Sequence, residues 1–224
     1  MTPLQNDAVR VDIWSDIACP WCYVGKARFD KAVAGLEGKV AVEVRHRSFE
    51  LDPNREPGEV DAVVPMIAKK YGISPAQAQA NEYKLGDLAN LEGLEYRTEG
   101  RDHGNTFDLH RLLHLASEKG LEAEVWKAFY TANFADEASI FQRDRVIEVA
   151  VAAGLDEADV VAVLDDPERY REAVRADEAE AAALGATGVP FFVIDEKYGV
   201  SGAQPTALFA EILEKAWDER QPAN

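Results

Sequence analysis

Two cysteines stand in the 224-residue chain, Cys19 and Cys22, and only two residues separate them. Chance placement would seldom gather a protein's whole cysteine content into one such motif, so the pair needs a chemical reason. Thiols at this spacing can close on each other as a disulfide or share a metal. Their setting favours the first. An alternating apolar run, Val9-Arg10-Val11-Asp12-Ile13-Trp14, precedes them and a helical pattern follows. Cys19 thus falls where a strand turns into a helix, and a helix N-terminus offers unpaired N–H groups and a partial positive charge. There a thiol pKa can drop from about 8.5 to between about 3.5 and 7.5, which yields the thiolate that disulfide exchange needs. Cys22 lies one turn inside, close enough to close the disulfide and release a bound partner. Zinc would need two further ligands. His110 and His114, four apart on a predicted helix, could offer them, but no finger-type spacing links them to the cysteines.

The elements around the pair read as follows. Pro20 sits just inside a helix that runs through Trp21 to about Leu36, and a second strand follows from Val40 to Phe49. Strand, helix, strand suits a parallel crossover. From about Val60 to Gly185 the periodicity is helical, with helices expected at 107–119, 122–134, 143–153, just after Asp156, and from an Asp166-Pro167 start to Leu184. The stretch from Gly86 to Gly104 is polar and reads as irregular. Strand character returns at Phe191-Phe192-Val193-Ile194, with an antiparallel neighbour at Tyr198–Gly202 and a last helix opened by Pro205. The chain therefore divides into a discontinuous α/β unit, residues 9–55 and 186–220, and an inserted all-helical unit, residues 56–185.

Composition narrows the partners. With 41 acidic and 24 basic residues the formal charge is −17, which disfavours DNA, RNA and anionic membrane. No run of eighteen apolar residues exists, so no membrane span is expected. The N-terminus has neither a basic region nor an apolar segment of the secretory type. If the chain is complete, a cytoplasmic protein is expected. A reducing compartment fits cysteines used for transient chemistry better than for a structural staple.

The motifs together resemble the DsbA-like thioredoxin superfamily, and within it the FrnE-like branch of cytoplasmic oxidoreductases. The resemblance is carried by Ser15-Asp16-Ile17-Ala18-Cys19-Pro20-Trp21-Cys22-Tyr23-Val24-Gly25-Lys26, by Arg47-Ser48-Phe49-Glu50-Leu51, by Asn105-Thr106 with His110-Arg111, by Arg175–Ala179, and by Gly185–Val193 with Val200–Pro205. It spans about residues 9 to 217. It implies a thioredoxin-like fold with a large helical insertion and a thiol–disulfide oxidoreductase or isomerase activity. By the same resemblance Cys19 is the attacking cysteine, Cys22 the resolving one, and Pro190 a cis-proline facing them. Val189 would offer its backbone to an extended substrate, with Pro20 and Trp21 shaping the contact. No metal and no resident cofactor are implied, with glutathione a candidate redox partner. The substrate would be a thiol- or disulfide-containing protein or small molecule, and the protein a monomer or homodimer.

Two departures qualify the resemblance. Many thioredoxins carry a buried acid six residues before the first cysteine, where this chain has Ile13, so proton handling at Cys22 must come from elsewhere. Some FrnE-like proteins have a second cysteine pair, which this chain lacks. Asp16 is expected either to tune the cysteines or to bind local backbone. Asn105, His110 and Arg111 read either as lining of the cleft between the two units or as a helix cap and a surface face, and Arg169–Glu180 as a solvated run of ion pairs. Two other activities fit the fold. One is a glutathione-dependent isomerase or transferase of the kappa and 2-hydroxychromene-2-carboxylate isomerase type, although those typically have serine in place of Cys19. The other is a non-catalytic, chaperone-like binder.

Overall fold

A computed structural model describes residues 8–220. The N-terminal stretch read as lacking an export signal lies, in residues 1–7, outside the described residues. Strand β1 (Val9–Ser15) is the centre of the sheet. It pairs in parallel with β2 (Val42–Ser48), from Val9↔Val42 to Ser15↔Ser48. On its other side it pairs antiparallel with β5 (Phe191–Ile194), Trp14 opposite Phe191, and β5 pairs antiparallel with β6 (Tyr198–Ser201). The order is β2-β1-β5-β6.

Period-two alternation gives β1 two faces, and both are covered. Val9, Val11 and Ile13 are fully buried with Phe29 of α1 (Pro20–Gly35) and Phe209 and Leu213 of α9 (Thr206–Asp218). Phe29 meets Phe209 edge-on at 5.6 Å. Burying such a side chain stabilises by about 1.5–3 kcal/mol. Trp14 faces the other way, 5.9 Å from Phe191, and its Nε1 donates to the Asp177 carbonyl at 2.8 Å.

Between β2 and β5 run α2 (Val63–Tyr71), α3 (Pro75–Leu91), α4 (Phe107–Glu118), α5 (Glu122–Phe134), α6 (Arg143–Ala152), α7 (Glu157–Asp165) and α8 (Arg171–Ala183). Local signals fix several starts. Ser74 and Gln77 form a reciprocal capping box ahead of Pro75, and Asp156 accepts from Asp159 N at 3.1 Å. The core of this insertion, with Leu112, Leu115, Phe129 and Phe134, continues without a break into Ile17, Cys19, Cys22 and Tyr23. The cysteine turn is therefore packed into the insertion as well as into its own sheet.

Several sequence expectations need correction. The insertion is not wholly helical, because β3 (Asp61–Ala62) and β4 (Asp102–His103) pair antiparallel. The stretch from Gly86 is not irregular at its start, since α3 continues to Leu91. A Cβ on Gly86 would lie 2.4 Å from Thr98 Cγ2, so this glycine serves close packing. Helix α8 starts at Arg171, not Asp166. The guanidinium of Arg111 takes the carbonyls of Val163, Asp166 and Arg169 and holds the chain between α7 and α8 in turns. The charge run of α8 is not simply solvated either. Asp177 is buried and accepts from Ser48 N at 2.9 Å and from Arg47 at 3.1 Å.

Candidate active site

Cys19 is the N-cap residue of α1, with extended backbone, and its carbonyl accepts from the N–H groups of Cys22 (3.1 Å) and Tyr23 (3.2 Å). Pro20 at the first helical position lacks the N–H that would go unpaired there. The positive end of α1 thus faces the place where charge on a Cys19 thiolate would form. Across the gap, the Val189–Pro190 peptide is cis, as expected, and the Cys19 thiol donates to the Val189 carbonyl at 3.6 Å. Gly25 brings α1 against Pro190, and Gly202 N donates to the Pro190 carbonyl at 2.8 Å. Four of the six predicted site residues, Cys19, Cys22, Val189 and Pro190, therefore meet at one point from segments 170 residues apart. Trp21 stands beside them, 48% exposed, and Pro20 is partly buried.

The two thiols differ. Cys19 is only 3% exposed, and Cys22 is completely buried. Burial above all pushes the Cys22 thiol well up, and the neighbouring Cys19 and the Asp16 charge push the same way, against an opposing contact from the Asp16 backbone. The dithiol form therefore keeps its proton on Cys22.

Asp16 combines the two roles weighed for it. Its carboxylate accepts from Leu51 N at 2.7 Å and Ala18 N at 3.2 Å, which fixes the turn, and His110 Nε2 lies 3.4 Å from Oδ1. Burial alone would raise this carboxyl, but His110 and the two backbone donors outweigh it and hold it below its usual range. Position 13 is an apolar core residue, and the adjacent Asp12 is bound by Arg10 at 2.8 Å and Arg47 at 2.9 Å.

The expectation of a surface face at His110 and Arg111 is overturned, because both are buried. Asn105 stands one residue ahead of the α4 N-cap, Thr106, and its Oδ1 accepts from Phe107 N at 2.8 Å in a local turn. His114 turns away to Asp177 and Ser48, each at 3.2 Å, so the two histidines do not converge on the cysteines. Among the described residues no group of three or more His, Cys, Asp or Glu is arranged to hold a metal.

Three neighbours escaped sequence reading. Asn133 Nδ2 donates to the Ile17 carbonyl at 2.8 Å and steadies the turn. Its signal was present, as a polar residue in the apolar stripe 126, 129, 130, 133 of α5. Tyr130 has its hydroxyl buried near Ser15 and Cys22, and Glu50 is buried beside Arg175. Glu50 stood in a motif that carries the resemblance, with no role read for it, and Tyr130 carried no mark, since a tyrosine in such a stripe reads as core.

A family model described as the DSBA-like thioredoxin domain matches residues 10–214. The chain is 60% identical to a probable DsbA oxidoreductase from Streptomyces coelicolor, with 96% of this chain and 93% of that one aligned at a TM-score of 0.92. It is 28% identical to the uncharacterized protein YwbO of Bacillus subtilis over 95% of this chain and 98% of that protein. The cytosolic disulfide reductase DsbM of Pseudomonas aeruginosa, solved with glutathione, shares the fold at 15% identity and a TM-score of 0.61, over 94% and 96% of the two chains.

Proposed function

Because the chain belongs to the DSBA-like thioredoxin domain family, we propose that it is a thiol–disulfide oxidoreductase working through Cys19 and Cys22. One observation carries this reading: a helix-capping thiol 3.6 Å from the carbonyl before Pro190, with a second thiol one turn below it. The Cys19 thiolate attacks a substrate disulfide, one substrate sulfur leaves, and a mixed disulfide forms at Cys19. Cys22 then attacks Cys19 Sγ, closes the Cys19–Cys22 disulfide and releases the second substrate sulfur. Read backwards, the same bonds oxidise or isomerise a substrate. The reduction potential of the pair against its thiol pool sets the direction.

Val189 and Pro190 form the edge along which an extended substrate lies, and Pro20 and Trp21 flank it. The slight exposure of Cys19 favours a narrow, extended partner, glutathione or an unfolded peptide, over a folded surface. The boundaries at 9–55, 186–220 and 56–185 mark the catalytic unit and its cover. The motif residues support the FrnE-like branch, and cysteines confined to the motif support a cytoplasmic setting. No described helix is long and apolar enough to cross a membrane.

The test uses Cys22→Ser and Cys19→Ser. With oxidised glutathione, Cys22→Ser should accumulate one glutathione adduct, on Cys19, by mass spectrometry. Cys19→Ser should lose disulfide turnover entirely. Exchange that persists in Cys19→Ser would overturn the proposal.

A further inference from the structure

Strand β2 is one edge of the sheet, and only part of that edge is covered. Val9 N donates to the Ala41 carbonyl at 2.7 Å and Phe49 N to the Ser15 carbonyl at 3.2 Å, so the odd-numbered peptides of β2 face β1. By alternation the N–H and C=O groups of Val42, Val44, His46 and Ser48 point outward. Carboxylates of the insertion reach the last two, Glu122 at His46 N (3.4 Å) and Asp177 at Ser48 N (2.9 Å). Among the described residues no acceptor takes the N–H of Val42 or Val44.

An open edge is a template for another strand, and proteins commonly block it with charge. Here the charge alternates in sign. On one face of β2 stand Glu43 and Arg45, 53% and 47% exposed and paired with each other at 2.7 Å. On the other face Val42 and Val44 pack half-buried onto the core of Phe29 and Phe209. Beside the edge lies a cavity of about 340 Å³, with Val44, His46, Leu113, Ser117 and Trp126 in its wall.

That sign pattern fits a second copy of the same strand. A two-fold axis at Val44 lays the two β2 strands antiparallel. Val44 then meets Val44, and the two exchange N–H···O=C bonds, because both peptides point outward. One step out, Glu43 lies opposite Arg45 on each side of the axis. Two steps out, Val42 N–H reaches the His46 carbonyl of the other copy. The Val42 side chain enters that copy's cavity, beside the His46 and Trp126 rings that stack at 5.2 Å. Other registers oppose like charges. An axis at Glu43 sets glutamate on glutamate, one at Arg45 sets arginine on arginine, one at Val42 sets Arg45 on Lys39, and one at His46 sets Arg45 on Arg47.

We propose that this protein forms a two-fold homodimer through the Val42–His46 segment of β2, which joins two four-stranded sheets into one continuous sheet. The Glu43–Arg45 pair within each copy is exchanged for two such pairs between copies. Because β1 and β2 run parallel and the cysteine turn follows β1, the antiparallel join carries the two dithiols to opposite ends of the dimer and leaves both open.

Sedimentation velocity on the reduced, full-length protein tests this without interference from intermolecular disulfides. Wild type should sediment as a dimer at micromolar concentration. Glu43→Arg sets arginine against arginine on both sides of the axis, and Arg45→Glu sets glutamate against glutamate. Each should raise the dimer dissociation constant about ten-fold or more. An equimolar mixture of the two variants brings opposite charges together again and should recover the dimer, as should the double variant Glu43→Arg with Arg45→Glu. A monomeric wild type overturns the proposal. So does a dimer that survives both single substitutions, or one that neither the mixture nor the double variant recovers. Amide hydrogen exchange in wild type reads the same edge without substitution. The Val44 N–H should gain protection as protein concentration rises, and protection independent of concentration overturns the proposal.

Discussion

A Cβ placed on Gly25 would lie 2.9 Å from Pro190 Cγ and 3.3 Å from Ala203 Cα. In an ordinary helix interior, alanine is better than glycine by about 0.5–1 kcal/mol. Here the added methyl must push α1 off the Pro190 strand, and overpacking costs about 1–3 kcal/mol. The clash wins, so Gly25→Ala should be destabilising by denaturant melts and should slow adduct formation at Cys19. A stabilised variant would refute the close approach. At this scale the sequence showed the two thiols but not their neighbours. Cys19 and Cys22 stood out because the chain holds no other cysteine. Pro190 stood out through its motif. The surroundings of Tyr130 and Glu50 became visible only when distant segments met, because a side chain's unpaired state depends on what surrounds it.

Helix α4 shows why an element's pattern is an incomplete guide. Its polar positions, His110 and Arg111, read as an outer face, yet α7 and the turns before α8 cover Arg111, while His110 faces Asp16 and Trp126. Arg111 donates to Val163 O and Asp166 O at 2.6 Å and to Arg169 O at 3.1 Å, while Asp108 Oδ1 accepts from it at 2.8 Å. Periodicity tells which side is polar but not whether another helix needs that polarity to satisfy its carbonyls. Arg111→Ala leaves these acceptors without their donor and should cost about 3–5 kcal/mol. Arg111→Lys should recover little, because one ammonium cannot copy the planar fork. A urea midpoint for Arg111→Lys equal to wild type would refute this account. Strand β2 teaches a related lesson. Its outer N–H groups at His46 and Ser48 are taken by Glu122 at 3.4 Å and Asp177 at 2.9 Å, so carboxylates from the insertion close part of an edge that the strand pattern leaves open. The Asp156 cap of α7 was legible, whereas the Asp166-Pro167 pair misplaced the start of α8 and the two-residue β3 and β4 had no pattern to read.

At the scale of the molecule, buried ionisable groups set the pH range of stability. Burial pushes His46 and His103 down, with Glu122 opposing at His46 and Arg55 adding at His103. Asp16, Glu122 and Asp177 are held below their usual range, each because partners outweigh burial. For both kinds the unfolded chain binds more protons in acid. The histidine contribution is lost as pH falls below about 6.5, and the carboxylate contribution as it falls below about 4. Cys22 is raised, so its contribution is present below about 8.5 and lost as pH rises above that. The melting temperature should therefore be highest near pH 7–8 and decline on both sides, with the first acid step reduced in His46→Gln. A melting temperature that rises from pH 7 to pH 5 would mean that relief of the −17 charge dominates instead. The split architecture itself was legible, because apolar strand runs stand at both ends of the chain with helical periodicity between them. That split has a consequence for birth on the ribosome. Trp14 must wait for Phe191 before the central strands can pair, and N-terminal segments emerge first. A nascent chain thus carries both thiols long before it owns the Val189 carbonyl. During that interval the cysteines are chemistry without an address, and any chain released early is a dithiol with no means of choosing its partner.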